Sequence, residues 1–192
     1  YVFQNPDHQI FSTTVYNEIL FGLKNTKLPQ DEIDKRIDAV LAFTGLEEFR
    51  NSHPFSMGKG ERQKLAVASI LALKPQILVV DEPTTGQDWK GIQIMMDMMK
   101  SLNEAGTTII MITHDMDVVS KYANEVILMN KGKVLLQGSP EKVLSETELL
   151  KQASVTTTQT LKLCKALGLP AYLNEKALAD AILKAIGGQN AE

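Results

Sequence analysis

Cysteine is almost absent from this 192-residue chain. Cys164 occurs once, which excludes an internal disulfide framework and fits a reducing compartment. No activating His stands near it in sequence, and its phase with Thr160, Leu163 and Leu167 on a predicted helix points to burial rather than catalysis. An excess of one charge is also missing: the net charge is -3, so nothing electrostatic argues for nucleic acid as a partner. No apolar run approaches the length needed to cross a bilayer, and the amino end shows no signal-peptide pattern. A membrane role would therefore require a partner protein. There is no internal repeat and no low-complexity run. What is there, 44% hydrophobic and 22% charged residues, suits one compact domain, or one with an appendage, able to bury a core.

The first half predicts helices. Tyr1–Gln4 reads as the end of a strand, broken by Asn5, Pro6 and Asp7. A short helix is predicted over Val15–Gly22. A second follows "NTKLPQDE", with Pro29 in its first turn, one apolar face of Ile33, Ile37, Val40 and Leu41, and Gly45 closing it. A third, dense in Ala and Leu, is predicted over Glu61–Leu73. The pattern then changes. Ile77–Val80 and Thr108–Ile112 are unbroken apolar runs, predicted as strands buried on both faces. Between them Ile92, Met95, Met96, Met99 and Leu102 recur at helical spacing, which assigns the "MMDMM" cluster to packing rather than to a binding surface. Val118–Tyr122 reads as a helix and "EVILMNKGKVLLQG" as a hairpin turning at Asn130–Gly132. Strand–helix–strand alternation predicts an α/β fold with a parallel sheet covered by helices. Beyond Pro140 the chain reads as helical, with Leu178, Ala181, Ile182, Ala185 and Ile186 on one face and a fraying end in "GGQNAE".

The stretch "ILVVDEPTTGQD", Ile77–Asp88, runs a buried strand into two adjacent acids. An Asp at such a tip is costly unless compensated. A hydrated magnesium ion on a nucleotide compensates it, because such sites use few carboxylates plus phosphate oxygens. The neighbouring acid points another way and can orient or deprotonate water. Asp81 thus fits the metal and Glu82 a general base for phosphoryl transfer to water. The plainer alternative is a strand ending in a solvated acidic turn. In "THD" after the second strand, His114 would share the carboxyl edge of the sheet, where ligands of parallel sheets collect.

These motifs carry a resemblance. "ILVVDEPTTGQD" looks like the Walker B segment and D-loop of ATP-binding-cassette ATPases, and "MITHD" resembles their His switch. "VFQNPDHQIFSTTVYNEILFG" is similar to their Q-loop in the form found in energy-coupling-factor importers. "MGKGERQKLAVASILALKP" resembles the family signature and its helix. The resemblance covers most of Tyr1–Gly138 in family order. It implies a partial P-loop NTPase (RecA-like) sheet, with Q-loop, helical subdomain and signature helix over 1–75, the Walker B to His-switch core over 76–140, and a helical extension over 141–192.

It also implies roles. Gln4 would contact magnesium and the attacking water and sense the membrane partner. Asp81 would hold magnesium through water, Glu82 would be the base, and His114 would steady the γ-phosphate. Asp88 would organise a dimer interface, and Gly58, Lys59, Gly60 and Glu61 would face the nucleotide of a second ATPase subunit. ATP and Mg2+ are the implied ligands, a transmembrane coupling subunit the implied partner, and the cytoplasmic face of the cell membrane the implied location. A groove near Phe11–Phe21 would hold a helix of that subunit. The alternatives are a cassette protein acting on ribosome or DNA, and a silent interaction module.

Two departures stand out. The signature's second position is Gly58 where the family has serine, with Lys59 beside it as a replacement charge. G-x-x-x-x-G-K-[ST], the phosphate-cradling loop, occurs nowhere. In the family that loop precedes the Q-loop, so the expectation is an amino-terminally incomplete sequence that alone neither binds ATP tightly nor hydrolyses it, with an exposed sheet edge. The carboxyl-terminal helices are expected either to cap the core or to pair subunits.

Overall fold

The structure, a computed structural model, describes residues 1–187, with side chains in the last helix up to Lys184. The readings made for Ala185, Ile186 and the fraying end at 188–192 lie outside the described residues. The chain divides into two compact units, Tyr1–Ile112 and Thr113–Glu192.

In the first unit, α1 (Val15–Leu23) starts where Thr14 accepts from the Asn17 amide, and α2 (Gln30–Thr44) ends at Gly45, whose left-handed φ of 67° lets the chain turn away. Pro29 is the cap of α2 rather than part of its first turn. The third helix, α3 (Lys59–Leu71), begins two residues earlier than its composition predicts, because Gly58 already serves as the cap. Ile19, Leu23, Ile37, Leu41 and Leu65 build one core of the three helices.

The strands β1 (Ile77–Asp81) and β2 (Thr108–Ile112) pair in parallel, Ile77 opposite Thr108 through Asp81 opposite Ile112, and α4 (Trp89–Glu104) connects them. On the other edge of β1, Val2 adds a one-residue parallel bridge to Val80. Leu78, Val80, Ile109 and Met111 pack with Met95, Met98 and Met99 of α4 and with Ala66 and Val67 of α3, which confirms the packing role of the methionines. The strands are not buried on both faces. Ile77, Ile110 and Ile112 are 57%, 48% and 49% exposed, because α3 and α4 cover only the alternate residues of the pleat.

In the second unit α5 (Met116–Tyr122) precedes the antiparallel hairpin of β3 (Val126–Asn130) and β4 (Lys133–Gly138). Its turn has φ of 48° at Lys131 and 74° at Gly132, the paired left-handed backbone of a two-residue hairpin. Four helices follow: α6 (Pro140–Ser145), α7 (Thr147–Gln152), α8 (Gln159–Ala166) and α9 (Glu175–Gly187). Leu128, Val143, Leu144, Leu150 and Leu161 form their core. Cys164 is buried as predicted, but on the face of Leu161; Leu163 and Leu167 are exposed, so the predicted phase was displaced.

One polar contact ties α1 to α2. The Tyr16 phenol donates to Asp34 Oδ1 at 2.8 Å, and the Arg50 guanidinium stacks 4.7 Å from the Tyr16 ring centroid. Hydrogen bonds from Tyr16 and then Gln30 hold the Asp34 carboxyl below its ordinary range, and the bond to Asp34 raises the Tyr16 phenol. A depressed carboxyl stabilises fully above its unfolded pKa, and that contribution is lost as pH falls through the folded value. A raised phenol stabilises fully below its unfolded pKa and loses that contribution at alkaline pH. Tyr16→Phe is therefore expected to shallow the loss of stability below about pH 4. Urea midpoints recorded across that range for parent and variant check it.

Candidate functional site

The carboxyl end of the parallel sheet gathers three of the predicted residues. The Val2 amide donates to the Val79 carbonyl at 2.8 Å and the Asp81 amide to the Val2 carbonyl at 3.1 Å. Because this pairing is parallel, Gln4, two residues beyond Val2, leaves at the same end as Asp81 and Glu82. Gln4 is exposed in a bend, while Asp81 and Glu82 are half-buried. Tyr1, which sequence reasoning missed, donates its phenol to Asp81 Oδ2 at 2.7 Å, and that bond raises the phenol's pKa. No sequence signal marks it, since the partners are 80 positions apart.

Glu82 has φ of 45°, a left-handed backbone that non-glycine residues rarely adopt. Its amide donates to the Ile112 carbonyl at 2.8 Å, so the strained residue is pinned to the end of β2. Strain of this kind costs on the order of 1–3 kcal/mol and clusters at working sites. The following loop is closed by Gln87 Nε2 donating to the Pro83 carbonyl at 2.7 Å. Asp88 has a local job: its carboxylate accepts from the Gly91 amide at 2.7 Å and caps α4.

The second cluster stands at the start of α3. Gly58 caps the helix with no side-chain hydrogen bond, and Lys59, Gly60 and Glu61 form its first turn. An α-helix start carries unsatisfied amides and the positive end of its dipole, an arrangement that attracts anions. Glu61 Oε2 occupies the space that a Cβ on Gly58 would need, whereas nothing lies within 4 Å of a Cβ on Gly60. Lys59 reaches back to the loop after β1: its Nζ lies 2.5 Å from where a Cβ on Gly86 would sit. Gln63, one turn on from Lys59, is buried, and its Nε2 is the one such atom among the described residues without a hydrogen-bond partner. Leaving a buried donor unsatisfied costs about 1–3 kcal/mol.

His114 belongs to the second unit. It is exposed in the turn two residues after β2, ahead of α5, where the Asp115 carboxylate accepts from the Asp117 and Val118 amides. Among the described residues no group of three or more His, Cys, Asp or Glu could hold a metal unaided. One carboxylate at Asp81 with a carboxamide at Gln4 is a donor set that fits magnesium, which keeps most of its shell as water and phosphate oxygen. A cleft of about 390 Å³ lies elsewhere, at the amino ends of the strands beside Gln76 and Thr107.

A profile of the ABC transporter family matches residues 1–85. The chain is 40% identical over 166 residues to the energy-coupling factor transporter ATP-binding protein EcfA of Methanocaldococcus jannaschii, covering 86% of this chain and 60% of that protein. It is 41% identical over 155 residues to an energy-coupling factor transporter ATP-binding protein of Clostridium perfringens, covering 80% of this chain and 54% of that one. Among solved structures, cbiO1 of Clostridium perfringens, part of the ABC transporter complex cbiONQ, superposes with a TM-score of 0.70 at 37% identity, over 88% of this chain and 66% of that one. A dimeric ATP-binding cassette bound to ADP and phosphate superposes at 0.63 and 30% identity, over 72% of this chain and 61% of that one. The chain spans 25% to 60% of the length of such curated relatives. Its sheet with two acids at the carboxyl edge, its signature-like helix start and these likenesses agree: the chain belongs to the ABC transporter ATPase family.

Proposed function

We propose that this chain forms part of the ATP-hydrolysing subunit of an energy-coupling-factor importer, driving uptake of a vitamin, metal ion or similar small solute. The observation that carries the reading is Glu82, held in a left-handed backbone beside Asp81 and pinned to Ile112. A carboxylate held rigid at a sheet edge suits a general base that takes a proton from the attacking water. Asp81 and Gln4 hold magnesium, which when bound draws charge from the phosphate oxygens. His114 steadies the γ-phosphate. Gly58, Lys59, Gly60 and Glu61 face the nucleotide of a second ATPase subunit, with backbone amides as anion donors. Asp88, besides capping α4, lies at that dimer interface.

The chain's partner in this reading is a transmembrane coupling subunit at the cytoplasmic face of the cell membrane; among the described residues no helix is long and apolar enough to cross a membrane. Phe11 and Phe21, 62% and 52% exposed, meet edge to face with ring centroids 4.7 Å apart and offer that subunit an aromatic platform. The names of the energy-coupling relatives support this reading. The 192 residues hold no G-x-x-x-x-G-K-[ST] loop, so by themselves they neither bind ATP tightly nor hydrolyse it.

Three outcomes are expected. In the full-length protein Glu82→Gln lowers hydrolysis by about 10²–10⁴-fold with nucleotide binding retained, as read by steady-state ATPase rates beside a binding assay. Gly60→Ala changes stability by less than about 1 kcal/mol, because neither space nor backbone opposes the methyl, yet it lowers hydrolysis where phosphate approaches the helix start. Calorimetry on the 192-residue chain gives no micromolar binding of magnesium-ATP.

A further inference from the structure

Arg62 sits in the second turn of α3 and grips two other segments. Its Nε donates to Asp7 Oδ1 at 2.7 Å, and its Nη1 donates to the Met57 carbonyl at 2.6 Å. The guanidinium also lies 5.9 Å from the Phe55 ring centroid. The Arg62 side chain is 17% exposed and that of Asp7 38%, so the pair is shielded more than an ordinary surface ion pair. Asp7 is itself set in place: its amide donates to Asn5 Oδ1 at 3.1 Å, which holds the short turn Pro6–His8.

Gln9 makes a second strap. Its Nε2 donates to the Ala66 carbonyl at 2.8 Å and to Ser69 Oγ at 3.3 Å on α3. Its Oε1 accepts from the Phe3 amide at 3.2 Å, next to Gln4. A third anchor is the buried Glu18 of α1, whose carboxylate accepts from the Phe11 and Ser12 amides at 3.1 and 2.8 Å. The loop carrying Gln4 is therefore strapped to α3 through Asp7 and Gln9 and to α1 through Glu18, and the Arg62 fork carries the strap on to the turn at Met57, immediately before Gly58.

We propose that Arg62 and Asp7 are a positioning pair that makes the Gln4 loop and the Gly58–Glu61 turn move as one lever, so that displacement of the loop by a docked partner shifts the nucleotide-facing turn directly. The inference rests on the functional reading above for what the turn faces, but not for the lever itself. Arg62 touches neither nucleotide nor water in this scheme and acts through Met57. A lysine at 62 keeps the charge for Asp7 but cannot span both acceptors, because it lacks the planar fork.

The test is a double-mutant cycle in the full-length protein with Asp7→Asn, Arg62→Gln, the two together, and Arg62→Lys. Hydrogen exchange is followed at the Met57 amide, which donates to the Pro54 carbonyl, and at amides 63–65, inside the bonded part of α3, together with kcat and KM for magnesium-ATP. Each single change is expected to speed exchange at Met57 and at 63–65 by about fivefold, the double change by no more than the larger single one, and Arg62→Lys to fall between. Hydrolysis is expected to lose kcat with KM held within about twofold. Additive effects in the double variant, or exchange altered at 5–9 but unchanged at Met57 and 63–65, overturn the lever. Absence of hydrolysis by the unaltered protein would overturn the functional reading instead, and the exchange result would still decide the lever.

Discussion

Helix α3 is buried from two directions. Leu65, Ala68 and Ala72 along it face the helical core with Ile19, Leu23 and Ile37, whereas Ala66, Val67 and Leu71 face the sheet core with Leu78, Val80 and Met99. A helix packed on one side can rock on its neighbour; a helix packed on two sides cannot, because interiors are too dense to yield. Small residues make this possible, since Ala66 and Ala68 let the backbone approach both layers at once. The turn at Gly58 is thereby held at a set distance from the end of β1, and the loop after Gln4 can be strapped along α3.

The polar edge inherits that rigidity. Glu82 keeps its unfavourable φ because the β1–β2 register and its bond to Ile112 leave it no other path. Asp88 is held by capping α4, and the Lys59 ammonium bends back over Gly86, whose φ of 74° disfavours any side chain there. These contacts join the helix start to the loop after the acids within one unit. Under the proposed reading such a site would need few polar side chains of its own, because the amides, a carboxylate and a carboxamide would leave room for phosphates to supply the remaining oxygens.

The exposed side of the sheet has a different origin. An unbroken apolar run records that a strand can be buried on both faces, not that both faces are covered within the same unit. Ile77, Ile110 and Ile112 show the difference: their sequence matches that of Leu78 and Val80 in character, but α3 and α4 reach only one side of the pleat. The same limit explains Cys164. An i,i+3 spacing sets it on the face of Leu161, whereas Leu163, its immediate neighbour, points about 100° away; which of the two faces is buried is selected by the neighbouring helices.

Local chemistry was legible from the chain alone. Periodicity found the helices and strands to within a few residues, Gly45 and Gly132 marked turns that require left-handed backbone, the methionines declared themselves as packing, and the motif order pointed to the family. All of these depend on neighbours within a few positions, where a residue's type directly restricts backbone geometry or burial. Tertiary structure alone decided that Tyr1 caps Asp81, that Lys59 overlies Gly86, that Arg62 reaches Asp7, and which face of the sheet stays open. Such pairs lie tens of residues apart, and polar side chains on flexible stems carry no periodic signal; their partners exist only once packed helices and strands bring distant backbone together.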